Sequence, residues 1–548
     1  MGPSLRRIRV SFWSIAVAAG ALQAWGARFV IEPDGVNYLD IADAYLRRDW
    51  SAAINAYWSP FYSWLLALVR WAFHPSPYWE STALHLLNFV LFLATILCFE
   101  FFYRRLLFLL TTRFPGAVSK EGMPQWSWWV LGYTAFLICV LRSISLRNDT
   151  PDLALAGFFF LACGMIVEIA QAGLSVGKHV LLGIILGLAY LTKSVMFPLS
   201  FVFIAAGTFA RNGVKKPDLR GLLALPAFLL VSSPFLAALS ASTGHLTFGE
   251  TGKLAYSRFV NGFHWGQDIM GGGKLVHPIR KLFDEPVVYE FAAPIRATYP
   301  PWYDASYWWA GSRPHFDLRG QLRVLGHSAT GYLHILSLEK EWIVGLLVLL
   351  LFGQCWAEQL RSLRKLWFLW LPSLATLAIY SLVLVEPRYV AASIAVLWVT
   401  LFAAIPWARI NAARGLGVTV VLAIAIVSCV SLAREEAPDL AECLRPSEHV
   451  QWVVAKNLQK MGLASGDRVA VLGHTTIADY WARLAGLQIV ADVPLEAVGS
   501  YGEATPEKRS QISARLAALG VKAMVSAERP LVPSGWRPVG TTGYYVLY

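Results

Sequence analysis

The first four-fifths or so of this chain is broken into apolar stretches of roughly 18 to 22 residues, the length that carries a helix across the hydrocarbon core of a bilayer. They begin near Val10, Thr82, Trp126, Leu153, Val180, Val195, Gly221, Trp342, Leu366, Tyr389 and Gly415, about eleven in all. The boundary between the fifth and sixth falls around Lys193. Composition agrees with a polytopic membrane protein. The chain is 56% hydrophobic and only 15% charged, whereas a soluble protein would be about a quarter charged. Its 23 Trp and 30 Phe suit lipid-facing surfaces and interfacial aromatic belts. The net charge of +12 therefore does not point to nucleic acid, and no nucleic-acid partner is expected. The first span, about Val10 to Val30, is too long and too rich in Trp for a signal segment, so it is expected to stay in place. Five of the six cysteines lie in apolar runs and no CxxC occurs, so neither a disulfide framework nor cysteine chemistry is expected.

Basic residues set the orientation. With the N-terminus inside, the inner segments collect Arg6, Arg7, Arg9, Arg104, Arg105, Arg113, Lys120, Lys178, Arg211, Lys215, Lys216, Arg220, Arg361, Arg364, Lys365, Arg409 and Arg414. The short outer loops keep Arg147, Lys193 and Arg388. This predicts a multi-pass protein of the cell inner (plasma) membrane, cytoplasmic at its N-terminus and extracytoplasmic at its C-terminus. Residues 1–433 form the transmembrane part, with outer loops 31–80 and 241–340. Within the first loop, Gly35 to Arg48 and Trp58 to Phe73 read as short helices lying along the interface. Residues 434–548 alternate strand and helix signals, which predicts a small α/β extracytoplasmic domain. Its strands are expected at Arg468 to Leu472, Gln488 to Val490, Lys522 to Val525 and Tyr544 to Leu547. Helices are expected at Thr476 to Leu484 and Pro506 to Leu519.

The residues that invite a chemical reading sit on the outer side. Asp34 follows Pro33 and precedes Gly35 and Tyr38, at a turn where it either caps the next helix or serves as a general base. Asp149 and Asp152 lie in Arg147-Asn148-Asp149-Thr150-Pro151-Asp152, where either a helix cap or a functional acid fits. Lys193 ends an apolar run, and a Lys at that depth marks a function or snorkels to the interface. Glu386 and Arg388 open the tenth stretch, as a surface ion pair or as part of a site. Two cations at the outer headgroup level suit a phosphate, for whose oxygens Arg is the better fork. The loop 241–340 adds His245, His264, Trp265, His277, Trp302, Tyr303, Trp308, Trp309 and His315. Its aromatics suit a sugar, an isoprenoid chain or lipid headgroups. His264, Asp268 and His277 match no zinc spacing, and Gly271-Gly272-Gly273-Lys274 lacks the rest of a P-loop.

Taken in order, these features resemble the GT-C superfamily of integral-membrane glycosyltransferases that use polyprenyl-phosphate-linked sugars. The branch most similar is the bacterial dolichyl-phosphate-mannose-protein mannosyltransferase-like and aminoarabinose-transferase-like group, over roughly Arg6 to Ala408. The resemblance implies that Asp34 is the catalytic acid of the first outer loop, with Asp149 or Asp152 the acid of the second. In several members the first acid is an Asp-Glu pair; here the stretch reads Glu32-Pro33-Asp34-Gly35. Substrate contacts would fall to Glu32, Tyr38, Lys193, Glu386, Arg388 and Tyr389. The implied reaction is a single inverting displacement. An acceptor hydroxyl on a lipid, glycan or protein is deprotonated by Asp34, and the lipid phosphate departs against Lys193 and Arg388. Membrane lipid is a further implied partner. No cofactor is expected: a divalent metal serves some relatives and not others, and no DxD occurs here. The rival readings are a polyprenyl-linked glycan transporter or flippase, which would want charges at mid-membrane and often an inverted repeat, and a non-catalytic envelope-assembly protein docking through its tail.

Overall fold

The computed structural model describes residues 3–114, 117–118, 122–171, 175–211, 218–263, 279–291, 296–304, 314–353, 356–407, 413–473, 479–532 and 534–548. His264, Trp265, Asp268, Gly271 to Lys274, His277, Trp308 and Trp309 lie outside them. Each apolar stretch lies in a helix; the first begins at Pro3, seven residues before its expected start, and the others begin within four residues of theirs. These helices include Pro3–Gly26, Glu80–Arg113, Asp152–Gln171, Trp367–Ser381, Pro387–Ala403 and Ala413–Glu435. Among the described residues, five helices are long and apolar enough to cross a membrane: Pro77–Arg113, Gln125–Ile144, Asp152–Gln171, Leu219–Thr243 and Arg414–Glu435. Four more apolar helices are shorter, Val176–Thr192, Met196–Phe209, Trp367–Ser381 and Pro387–Ala403. Length and apolarity therefore give five spans outright, fewer than the expected eleven. Four of the other expected spans are short helices, among them the pair flanking Lys193, while Pro3–Gly26 is 24 residues long but outside the five. Lys193 breaks the helix with an extended backbone (φ −156°, ψ 128°), so the long apolar run around it is two helices.

The chain divides into two compact units. The first holds Met1–Arg28, His85–Phe248 and Asp317–Arg445, and its elements among the described residues are helices. Small residues let its helices approach. Gly183 and Gly187, one turn apart on Val176–Thr192, face Ala224–Thr243; a Cβ on either would strike the Ala224 carbonyl or the Val231 side chain. Gln125–Leu137 runs on into a π-helical turn, Ile138–Ile144. That turn ends at Ser145 with φ 63°, which redirects the chain toward the Asp149–Asp152 turn.

The second unit holds Phe29–Leu84, Gly249–Phe316 and Pro446–Tyr548. Its first segment forms the helices Pro33–Arg47 and Pro60–Phe73, close to the two short helices expected there. Ser59 in extended conformation with Pro60 at the first helical position starts the second of them. The two pack through Tyr38 against Tyr62 (centroids 5.1 Å apart) and the Ser63 hydroxyl donating to the Tyr38 carbonyl (3.0 Å). The tail supplies strands β3 (Arg468–Leu472), β4 (Gln488–Val493), β5 (Val521–Ser526), β6 (Arg537–Pro538) and β7 (Tyr545–Leu547). Helices Tyr480–Ala485 and Pro506–Ala518 lie between them. Four of these strands fall on the expected runs; β6 and the Val450–Lys460 helix were not foreseen. Two further strands, β1 (Ile279–Asp284) and β2 (Val287–Phe291), come from the loop 241–340 and join the same sheet. The strand order is β1-β2-β4-β3-β5-β7-β6. The central β4, β3 and β5 are parallel; β2 pairs antiparallel with β4, and β7 with β5. Buried on both faces, the parallel strands read as continuous apolar runs. Their core is Val288, Leu472, Val493, Ile512, Leu516 and Met524.

Candidate active site

In the second unit, Pro33–Arg47 starts one residue before Asp34, with Glu32 extended at the N-cap position and Pro33 at N1. Asp34 therefore sits inside the first turn and is not the cap, the alternative role its sequence context allowed. Glu32 is exposed, and its side chain does not cap the helix. The half-buried Asp34 carboxylate accepts from the Trp302 indole (3.2 Å, Oδ1). Trp302 belongs to a strap, residues 296–304, laid along the helix by a series of bonds. The Trp302 carbonyl accepts from Asn37 Nδ2 and Trp58 Nε1, both at 3.3 Å. The Tyr303 carbonyl accepts from Asn55 Nδ2 (2.8 Å), and its hydroxyl donates to the Ala52 carbonyl. The buried Tyr38 stands edge-on to Trp58 (5.1 Å) beneath this arrangement. The loop whose aromatics suit a sugar, an isoprenoid chain or lipid headgroups thus delivers one indole to the candidate carboxylate.

The same unit holds a cluster that sequence reasoning missed. Arg483, on Tyr480–Ala485, is buried and donates to Asp40, to Asp43 (2.7 Å) and through two nitrogens to Glu80 (both 2.9 Å). Arg70 pairs with Asp43 (2.7 Å) and with Glu80. Asp40 also accepts from the Thr298 backbone N–H (2.8 Å) and hydroxyl (3.1 Å). Burial pushes the Asp40 carboxyl above its ordinary range, while Arg483 and the Thr298 N–H pull it back. Burial acts on Asp43 too, but there Arg483 and Arg70 prevail and hold it below that range. Removing one partner of such a buried cluster costs about 3–5 kcal/mol. A cavity of about 710 Å³ opens beside it, lined by Asp40, Asp43, Arg70, Glu80, Thr298 and Arg483 among others. The one sequence signal was an arginine inside an apolar helix, Tyr480-Trp481-Ala482-Arg483-Leu484.

In the first unit, four of the proposed residues come together. Asp152, 1% exposed, opens Asp152–Gln171 and pairs with Lys193 Nζ at 2.6 Å; Arg388 Nε lies 3.9 Å from its other oxygen. The Thr150 hydroxyl donates to Asp152 Oδ2 (2.8 Å). Lys193 Nζ stands 3.7 Å above the Tyr389 ring, which stacks on Tyr380 at 5.1 Å. The helix break after Thr192 and the helix start at Pro387 aim the two cations at the same carboxylate. Each keeps about a fifth of its side chain exposed (23% and 21%), so a charged group from outside can still reach them. A cavity of about 20 Å³, room for one water, lies among Asp152, Tyr380, Arg388 and Tyr389. Asp149 is completely buried, with His85 Nε2 3.5 Å from it. Glu386 takes the N-cap position of Pro387–Ala403 without capping it through its side chain. Among the described residues, no three His, Cys, Asp or Glu side chains converge as a metal site would require.

No protein family's sequence profile matches the chain, and no curated protein does. Solved structures do. The apo crystal structure of ArnT from Cupriavidus metallidurans superposes with a TM-score of 0.52 at 13% identity, covering 98% of both chains. The same ArnT bound to undecaprenyl phosphate gives 0.45 at 13% identity. The apo oligosaccharyltransferase of Archaeoglobus fulgidus gives 0.47 at 14% identity, over 94% of this chain and 70% of that one. At these identities the likeness is one of fold.

Proposed function

Since the chain has the GT-C fold, we propose that it is a membrane glycosyltransferase that moves a sugar from a polyprenyl-phosphate donor to an acceptor hydroxyl at the outer face of the membrane. Asp34 is the general base: its carboxylate accepts the hydroxyl proton as the oxygen attacks the anomeric carbon. The Trp302 indole on Oδ1 fixes the carboxylate's orientation. One displacement inverts the anomeric centre and releases the lipid phosphate. Lys193 and Arg388 stabilise the charge that phosphate gains, which is electrostatic catalysis. Asp152 holds these two cations in register, and Asp149 braces the same turn against His85. Every step described is carried by the chain's own side chains. The observation that carries this reading is the orientation of Asp34 by Trp302 on a chain of this fold. ArnT, the neighbour whose apo form carries the likeness, has also been crystallised with undecaprenyl phosphate, which supports a donor of that lipid class.

The test compares the mass profile of envelope glycans, glycolipids and glycoproteins with and without the gene, then with Asp34→Asn. The expected result is a lost mass increment in the deletion that wild type restores and D34N does not, although D34N accumulates in the membrane normally. An active D34N would sink the assignment. A transporter would be little affected by that change, and a docking protein would depend on the tail instead.

A further inference from the structure

The tail after residue 445 has no task in the reaction as described so far, yet it sends its one buried arginine of the Tyr480–Ala485 helix into the helix that bears Asp34. Arg483 reaches Asp40 and Asp43, six and nine residues beyond Asp34 on Pro33–Arg47. It also reaches Glu80, where the next long helix begins. Asp40 in turn grips both the backbone and the hydroxyl of Thr298. Four residues further along the same strap, Trp302 donates to Asp34. The connected path is therefore Arg483 to Asp40, Asp40 to Thr298, and Thr298 through a short, well-bonded strap to Trp302 and Asp34. A cluster that served stability alone would need only to fill its site. This one is bonded to the strap at Thr298, in the segment whose Trp302 orients the candidate base.

We propose that Arg483 is a positioning residue for Asp34: the C-terminal segment sets the 296–304 strap, and with it the Trp302–Asp34 bond, by clamping Asp40. This rests on the reading of Asp34 as general base. A carboxylate displaced by an ångström loses rate through orientation while substrate binding is kept. Loss of the clamp is therefore expected to lower turnover and leave the donor KM unchanged.

The test uses the full-length chain in detergent micelles. Hydrogen exchange is compared between wild type and Arg483→Gln. The expected result is faster exchange, by about tenfold or more, in residues 296–304 and in the first turns of Pro33–Arg47, with β3 and β5 still protected. A rise confined to Tyr480–Ala485 would overturn the proposal, as would global exchange in R483Q accompanied by wild-type exchange in Thr298→Val. Turnover, read as the mass increment defined by the deletion strain, is expected to fall about 10- to 100-fold in R483Q and in Trp302→Phe, with KM unchanged in both. It should recover in part in Arg483→Lys, and the double variant R483Q/W302F should be no worse than either alone. Additive losses would overturn the link. Full turnover in D34N with the exchange pattern intact would instead overturn the general-base reading and leave the mechanical coupling standing.

Discussion

Lys193 and Arg388, both of which the sequence places in expected outer loops, share one counter-ion, Asp152. Asp152 is almost fully buried while each cation keeps an exposed edge, a geometry that holds a charge in place without consuming it. Lys193→Ala and Arg388→Ala are each expected to weaken binding of undecaprenyl phosphate by about tenfold, the equivalent of one lost charge-assisted hydrogen bond. Native mass spectrometry of the purified chain reads this directly, and D34N should bind the lipid as wild type does. Equal binding by all three variants would remove the two cations from the donor site. Asp152→Ala is expected to act differently: it leaves two cations without their anchor and costs about 3–5 kcal/mol of stability, measured as a fall in the melting temperature.

Helix pairs and strands carry predictions of their own. Gly183 meets a backbone carbonyl, which cannot rotate aside as a side chain can. Gly183→Leu should therefore push Val176–Thr192 away from Ala224–Thr243, costing about 1–3 kcal/mol and weakening lipid binding at Lys193, which that helix ends on. In the second unit, two buried groups titrate in opposite senses. His449 is stacked on Phe29 (4.7 Å), and burial lowers it from 6.5 to about 4. It stays neutral in the fold, so its contribution is full above pH 6.5 and is lost as pH falls toward 4. Asp492 on β4, bonded by the Tyr299 hydroxyl (3.2 Å), is raised by burial from 3.8 to about 7. It stays protonated in the fold, so its contribution is full below pH 3.8 and is lost as pH rises toward 7. Across the shared range the two oppose each other by about 2 kcal/mol each between pH 7 and 5. His449→Phe should make acidification to pH 5 stabilising, and Asp492→Asn should make it destabilising, as seen in melting temperatures at the two pH values. Unchanged pH dependence in both variants would contradict this assignment.

At the level of the whole molecule, what could be read in advance depended on how local the deciding force was. The helices were legible because bilayer thickness imposes a length and an apolar content on each one separately. The parallel strands were legible because burial on both faces leaves an unbroken apolar run, as in Arg468–Leu472. That Lys193 and Arg388 would lie near each other followed from position, and the two meet at Asp152. The Arg483 cluster was not legible, because its partners stand as many as 443 residues apart in the chain and no periodicity links them. The β1–β2 hairpin was also missed: its six and five residues become a sheet only by pairing with β4, which lies about two hundred positions later. The aromatics of that loop suit a sugar, an isoprenoid chain or lipid headgroups by composition alone, whereas Trp302 and Tyr303 are bonded into the fold.

The distance between Glu80 and Arg483 also has a meaning in time. Their separation of 403 residues takes a ribosome about 20–80 s to cover at about 5–20 residues per second. During that interval Asp40, Asp43 and Glu80 have been made and their tail arginine has not. A chain released early, by a nonsense codon or a stalled transcript, would carry Asp34 with its supporting clamp missing. Formation of the clamp, and with it the orientation proposed for Asp34, would therefore wait on the last part of synthesis.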